Sequence, residues 1–215
     1  MSFRSRIDGI LTGYFHRQFV KVLRKETRGC NSLLDLGCGY NTYIHKITKG
    51  IPRSVGVDVF MPSIEKARAA KTHSEFVLDD VMSYLRKQPD KSFDAIIALD
   101  LIEHLTKEDG IKLKDEMERV AAKKAIILTP NGFVPQRPYD NNPWQEHKSG
   151  WPWQEWIGYG YKLYGFAGYK ALRGERGAIL FKPRIFWKYF SFFTQHFTIH
   201  MPKYAFELMC VKTIQ

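Results

Sequence analysis

Between residues 32 and 128 short apolar runs alternate with stretches of helical periodicity, and this alternation constrains the fold more than any other feature of the chain. Runs rich in Val, Ile, Leu and Phe occupy 32–36, 54–59, 75–78, 93–99 and 125–128. Helical patterns fill the intervals at 42–48, 62–71, 81–87 and 107–122. Strand, helix, strand repeated in this way predicts a parallel sheet with helices on both faces, joined by right-handed crossovers. Ligands of such sheets gather at the C-terminal ends of the strands. Beyond Pro130 come a loop dense in Pro, Asn, Trp and Tyr, a strand near 161–165, an aromatic and basic stretch at 181–197, and a final strand at 204–213.

A length of 215 residues suits one domain. It divides into an N-terminal amphipathic helix (1–29), a cofactor-binding core (30–131) and a substrate-side remainder (132–215). In the first part Ile7, Ile10, Leu11, Tyr14, Phe15, Phe19, Val22 and Leu23 share one helical face, and Arg17, Lys21, Arg24 and Lys25 fall largely on the other. This reads as a helix packed on the domain edge with a solvated basic face. No apolar run reaches the length of a membrane span, and the N-terminus lacks a secretory pattern, so a cytoplasmic location is expected. Cys30, Cys38 and Cys210 show no disulfide or zinc spacing. A formal net charge of +11 would favour an acidic partner, although such charge can be merely solubilising.

The chemistry concentrates where Leu33-Leu34-Asp35-Leu36 runs into Gly37-Cys38-Gly39-Tyr40-Asn41. Glycine serves there because a ligand must approach the backbone closely and the turn can require positive φ. Asp58, about 20 residues on at the end of the second strand, is placed to accept hydrogen bonds from ribose hydroxyls. A dinucleotide would call for a third glycine, where this chain has Thr42. Asp35 adds negative charge that suits a sulfonium and an amino group better than two phosphates. The balance favours S-adenosylmethionine, with S-adenosylhomocysteine as product.

Over residues 31–131 the chain resembles the class I methyltransferases of the small-molecule type, which share Asp/Glu-x-Gly-x-Gly-x-Gly on the first strand and turn. Asn41 stands at the last glycine, a mild departure because Asn tolerates left-handed backbone. The resemblance implies a Rossmann-like doubly wound sheet of about seven strands, mostly parallel with an antiparallel last strand. It also implies cofactor contacts at Asp35, Gly37, Gly39, Asp58, Val59, Asp80, Val81, Leu99 and Asp100. Among these, Asp80 and Val81 would meet the adenine, and Leu99 and Asp100 the methionine part and the methyl. Asp79 is read as a turn former or helix cap.

Methyl transfer from a sulfonium is an in-line displacement that alignment alone accelerates, so no metal is required, and no separate carboxylate pair marks a metal site. A hydroxyl acceptor profits from a general base, for which His104 and His147 are the candidates, with Glu103 behind them. The loop at 130–156 is expected to form an acceptor pocket or lid through Trp144, Trp151, Trp153 and His147, or else to be packed structure. The expected acceptor is a small molecule, glycan or lipid-linked compound, methylated on oxygen. A nucleic-acid methyltransferase is a weaker alternative, since neither an Asn/Asp-Pro-Pro-Tyr-like motif nor a Pro-Cys nucleophile is present. A non-enzymatic cofactor-binding regulator is another. In 181–197, Ile185, Phe186, Tyr189, Phe190, Phe193 and Phe197 recur on one helical face beside Lys182, Arg184 and Lys188. That composition fits contact with a membrane surface or an amphiphilic acceptor, with a lid or a dimer interface as alternatives.

Overall fold

The computed structural model describes residues 17–40, 44–138 and 142–215. The first part of the expected N-terminal helix, and Asn41 and Thr42 of the glycine turn, lie outside them. Among the described residues seven strands form one sheet in the order β3-β2-β1-β4-β5-β7-β6. They are β1 (Ser32–Leu36), β2 (Arg53–Asp58), β3 (Glu75–Leu78), β4 (Phe93–Leu99), β5 (Ala121–Pro130), β6 (Lys162–Tyr169) and β7 (Ala205–Thr213). The first five pair in parallel, and β7 runs antiparallel between β5 and β6. The direction of winding reverses between β1 and β4, which opens a crevice at the C-terminal edge.

Alternation along each strand sends side chains to two separate cores. On one face Leu34, Leu36, Val55, Val57, Ile96 and Ile127 meet α4 (Val81–Arg86), α5 (Lys107–Val120) and α6 (Trp153–Gly158). On the other, Leu33, Ala95, Ile97, Ile126 and Met209 meet α1 (residues 17–26) and α2 (His45–Thr48). The remaining helices, α3 (Met61–Ala69) and α7 (Arg184–Thr198), flank β2–β3 and β6. α5 starts at Thr106, whose hydroxyl accepts from the Asp109 amide, and buries Leu113, Met117 and Val120 at helical spacing. In α1, Val20, Val22 and Leu23 are buried and Lys21, Arg24 and Lys25 are exposed, as expected of an edge helix.

Two segments depart from the sequence reading. β5 begins at Ala121 rather than 125, because Ala121 pairs with Phe93 of β4 and Lys124 with Ala95 of β4 and Thr213 of β7, and the two lysines at 123 and 124 hide this start from the apolar pattern. β6 runs on to Tyr169 through an irregularity after Phe166, where Ala167 and Gly168 have φ of 62° and 72°. Among the described residues no helix is long and apolar enough to cross a membrane.

Candidate active site

Both glycines of the turn after β1 adopt left-handed backbone, with φ of 64° at Gly37 and 52° at Gly39. A Cβ at Gly37 would lie 2.8 Å from Leu101 Cδ1, the end of a flexible side chain that can shift, so it is the left-handed backbone that calls for glycine there. Asp58, leaving β2, ties the turn to the next strand. Its Oδ2 accepts from the Gly39 amide at 2.9 Å and its Oδ1 from the Phe60 amide at 2.8 Å. Each oxygen keeps a lone pair for a ligand hydroxyl. Asp35 is buried, with Oδ2 3.1 Å from His73 Nε2. Burial pushes its carboxyl up, and the His73 hydrogen bond and charge oppose that shift.

At the end of β3 the two neighbouring acids take different parts, and Asp79 takes the one read from the sequence. Asp80 caps α4, its Oδ1 accepting from the Ser83 amide at 2.9 Å. Asp79 is the turn former: it accepts from the Asp80 amide at 2.9 Å and pairs with Lys87 at 2.8 Å. Val81 is buried in the first turn of α4, while Val59 is exposed beyond β2.

A cleft of about 460 Å³ opens over the C-terminal ends of β1 and β4. Of the residues singled out from sequence, Asp35, Gly37, Gly39, Leu99, Asp100, His104 and His147 line it. Asp58, Val59, Asp80 and Val81 do not; they stand along the neighbouring ends of β2 and β3. Asp100 has φ 53°, a left-handed conformation that Asp tolerates better than most residues. It opens onto the cleft but is ringed by protein, and this enclosure, with the Glu207 carboxylate nearby, pushes its carboxyl up to about 8. Glu103 is raised well above its ordinary range by burial and then by Asp100. Glu207 from β7 is raised by burial, with Arg173 opposing. A concave site holding three such carboxyl groups favours a cationic ligand, which would let them ionise.

Glu103, His104 and His147 each offer a ligand atom within 4.8 Å of one another. A 3-10 turn, Ile102–His104, presents the first two, and the loop after β5 brings the third. Backbone bonds lock that loop in place: the Lys148 and Ser149 amides both donate to the Glu103 carbonyl, at 2.8 and 3.1 Å. His104 Nδ1 lies 3.0 Å from the Glu146 carbonyl, and His147 Nδ1 lies 2.7 Å from that of Val134. A carbonyl only accepts, so each Nδ1 carries its hydrogen and each Nε2 keeps a lone pair. Burial lowers the His104 pKa to about 4, and it lowers that of His147 as well. Among the described residues Glu103 Oε2 is buried with no partner in good hydrogen-bond geometry, the Thr129 hydroxyl being near enough to favour the charged form of the carboxyl. Two neutral imidazoles, fixed through Nδ1–H to carbonyls, and an unsatisfied carboxylate oxygen form a donor set suited to a divalent cation. No such site was expected from the sequence, where Glu103 ranked below the histidines.

Of the alternatives for the aromatic loop, packed structure holds at Trp151 and Trp153 and a place on the cleft wall at His147. Trp151 is fully buried and sits 5.3 Å from Trp156, also fully buried, with Lys107 over its ring. Its Nε1 donates to Ser149 Oγ at 2.9 Å, and Trp153 packs at the edge of the same core. Trp144 is exposed and is not among the cleft-lining residues. The loop contributes Val134, Gln136, Gln145 and His147 to the cleft instead. Arg176, Gly177, Phe206 and Glu207, from the segment between β6 and β7 and from β7 itself, complete the wall and carried no motif that marked them.

Residues 34–129 match the methyltransferase domain family. The chain is similar in fold to a SAM-dependent methyltransferase from Archaeoglobus fulgidus, at 18% identity over 92% of this chain and 94% of that one (TM-score 0.59). It is also similar to magnesium protoporphyrin IX methyltransferase from Synechocystis with bound SAM (13%, 100% and 85%, TM-score 0.54). A third likeness is to the methyltransferase domain of a bacterial Hen1 protein (19%, 95% and 100%, TM-score 0.54). No curated protein matches in sequence. The domain match spans residues 34–129, and the three likenesses give the fold, a seven-stranded sheet with a glycine turn at its switch point.

Proposed function

We propose that the cleft transfers a methyl group from S-adenosylmethionine to an oxygen of a small-molecule, glycan or lipid-linked acceptor. Residues 30–131 carry the cofactor and 132–215 the acceptor side of one methyltransferase domain. In this reading Asp58 receives the ribose hydroxyls, and Val59, Asp80 and Val81 frame the adenine. Asp35, Gly37, Gly39, Leu99 and Asp100 border the methionine part and the methyl. The acceptor oxygen attacks the methyl carbon as the C–S bond breaks toward sulfur, and the hydroxyl proton must leave.

The observation that carries the choice of oxygen is the Glu103–His104–His147 constellation beside Asp100 at the strand end. A divalent cation held there would supply Lewis acidity to the acceptor hydroxyl. The residues' own work is to orient that hydroxyl and to keep the Nε2 lone pairs available. A second reading has His147 as the direct base, favoured by its partly exposed ring on the cleft wall. His104 is poorly suited to that role, because a base held near pKa 4 has little driving force at neutral pH.

The test is methyl transfer from labelled cofactor to hydroxyl acceptors from glycan, lipid and small-molecule fractions, with RNA as the contrasting class, in the presence of Mg²⁺ or Mn²⁺ and after chelation. Chelation and Glu103→Gln should each lower turnover by about 10- to 100-fold or more while cofactor affinity stays unchanged. Full activity under both conditions, with turnover lost in His147→Ala, would select the base reading. Transfer confined to amines or to RNA would overturn the acceptor assignment.

A further inference from the structure

α7 is inside out with respect to water. Its buried positions are largely polar: Ser191, Gln195 and Thr198 are 0%, 1% and 3% exposed. Four of its seven aromatic residues face outward, with Phe186, Phe193 and Phe197 57–61% exposed and Phe190, like Ile185, exposed beside them; Phe192 alone of the seven is buried. The exposed residues 186, 190, 193 and 197 follow the three- and four-residue steps of one helical stripe.

The polar face is inward because it grips β6. Gln195 accepts from the Gly168 amide and donates to the Gly165 carbonyl, both at 3.0 Å, and Thr194 Oγ1 accepts from the Tyr169 amide at 2.9 Å. The grip needs glycine beneath it: a Cβ at Gly165 would lie 2.1 Å from the Thr198 carbonyl oxygen, and one at Gly168 2.2 Å from that of Ser191. Orientation is therefore fixed by the fold, and the aromatic stripe cannot roll inward. Among the described residues none of α7 lines the active-site cleft, so the stripe is not a lid.

We propose that this stripe docks on an anionic lipid surface. Charge complementarity selects that occupant. Residues 176–206 contain Arg176, Lys182, Arg184, Lys188 and Lys203 and not one Asp or Glu. Leu180 and Phe181, both exposed, extend the apolar surface ahead of the helix. At the other end of α7, His196, Ile199 and His200 border a groove of about 1370 Å³ whose further lining includes Arg17, Lys21, Arg24, Lys25 and Lys49. An exposed aromatic helix set in a cationic field has the composition of an interfacial element: the rings enter the headgroup boundary and the bases meet lipid phosphate. A second copy of this chain would bring the same bases face to face, whereas an anionic bilayer neutralises them. The segment between β6 and β7 that carries α7 also supplies Arg176 and Gly177 to the cleft wall, so docking would bring the cleft near the surface. The acceptor class deepened here, a group carried on or near lipid, rests on the methyltransferase reading; the docking itself does not.

The experiment is flotation of the full chain with phosphatidylcholine vesicles and with equimolar phosphatidylcholine–phosphatidylglycerol vesicles, at low salt and at about 0.5 M salt, where charges are screened within a few ångströms. Binding to the anionic vesicles should exceed binding to the neutral ones, weaken in salt, and fall about tenfold or more in Phe193→Glu and in Phe197→Glu. Calorimetric cofactor affinity equal to wild type in both variants shows that they are folded. Light scattering gives the oligomeric state. Absence of binding to anionic vesicles at low salt, or a wild-type dimer that both variants split, overturns the proposal. Loss of cofactor binding in the wild-type chain would instead count against the methyltransferase reading and leave the vesicle result standing.

Discussion

Asp58 shows how one side chain can shape the proposed cofactor site before any ligand arrives. By accepting from the Gly39 and Phe60 amides it clamps the glycine turn against the end of β2, while each of its oxygens keeps a lone pair for a ribose hydroxyl. Asp58→Ala should therefore weaken S-adenosylhomocysteine binding by about 1–3 kcal/mol, through lost charged hydrogen bonds and a looser turn. Titration calorimetry checks it, and an unchanged affinity would remove Asp58 from the proposed site. The residues legible in the sequence were those whose role is local. Gly37 and Gly39 announce a backbone conformation, and Asp35 and Asp58 sit at strand ends that the apolar runs define. Asp79 and Asp80 were harder to apportion, since either could cap α4 and only the chain's path at the end of β3 gives the cap to Asp80. Glu207 and Arg176 were not legible, because nothing in their neighbours' spacing reports that β7 and the segment before it end at the cleft.

Among the elements, β1 to β4 fall within a residue of the boundaries read from the apolar runs: β1, β2 and β4 are covered on both faces and their sequences say so, while β3, at the sheet edge with Glu75 and Leu78 exposed, still keeps a short apolar run. β6 and α7 depart further. The strand read near 161–165 runs on past Gly165 and Gly168, the places where α7 comes closest, and the packed face of α7 is largely its polar one. Periodicity finds a helix, but its inward face is decided by partners elsewhere in the chain. Gln195 makes this testable. Gln195→Leu keeps the volume and removes the bonds to Gly165 and Gly168, leaving a buried carbonyl and a buried amide unpaired. Loss of about 1–3 kcal/mol in chemical denaturation is expected, with cofactor affinity retained. A variant as stable as wild type would mean that α7 is held by its apolar contacts alone. The loop at 131–153 teaches the same lesson, for Trp151 is core because Gly110 of α5 leaves room for its ring, a complementarity that the loop's own composition cannot report.

For the whole molecule, winding order and electrostatics meet at one edge of the sheet. The order reverses between β1 and β4, and there Asp35, Asp100, Glu103 and Glu207 gather in a chain whose formal net charge is +11. An acidic cleft in a basic protein selects a cationic small molecule locally, while the outer field favours an anionic surface. A dinucleotide, with its two phosphates, suits the outer field and not the cleft. The most direct measurement is thus a calorimetric titration of the folded protein with S-adenosylmethionine, S-adenosylhomocysteine and NAD in parallel. Saturable binding of the first two and none of NAD is the predicted result; folded protein that binds neither sulfur compound, or that binds NAD in their place, would contradict the account.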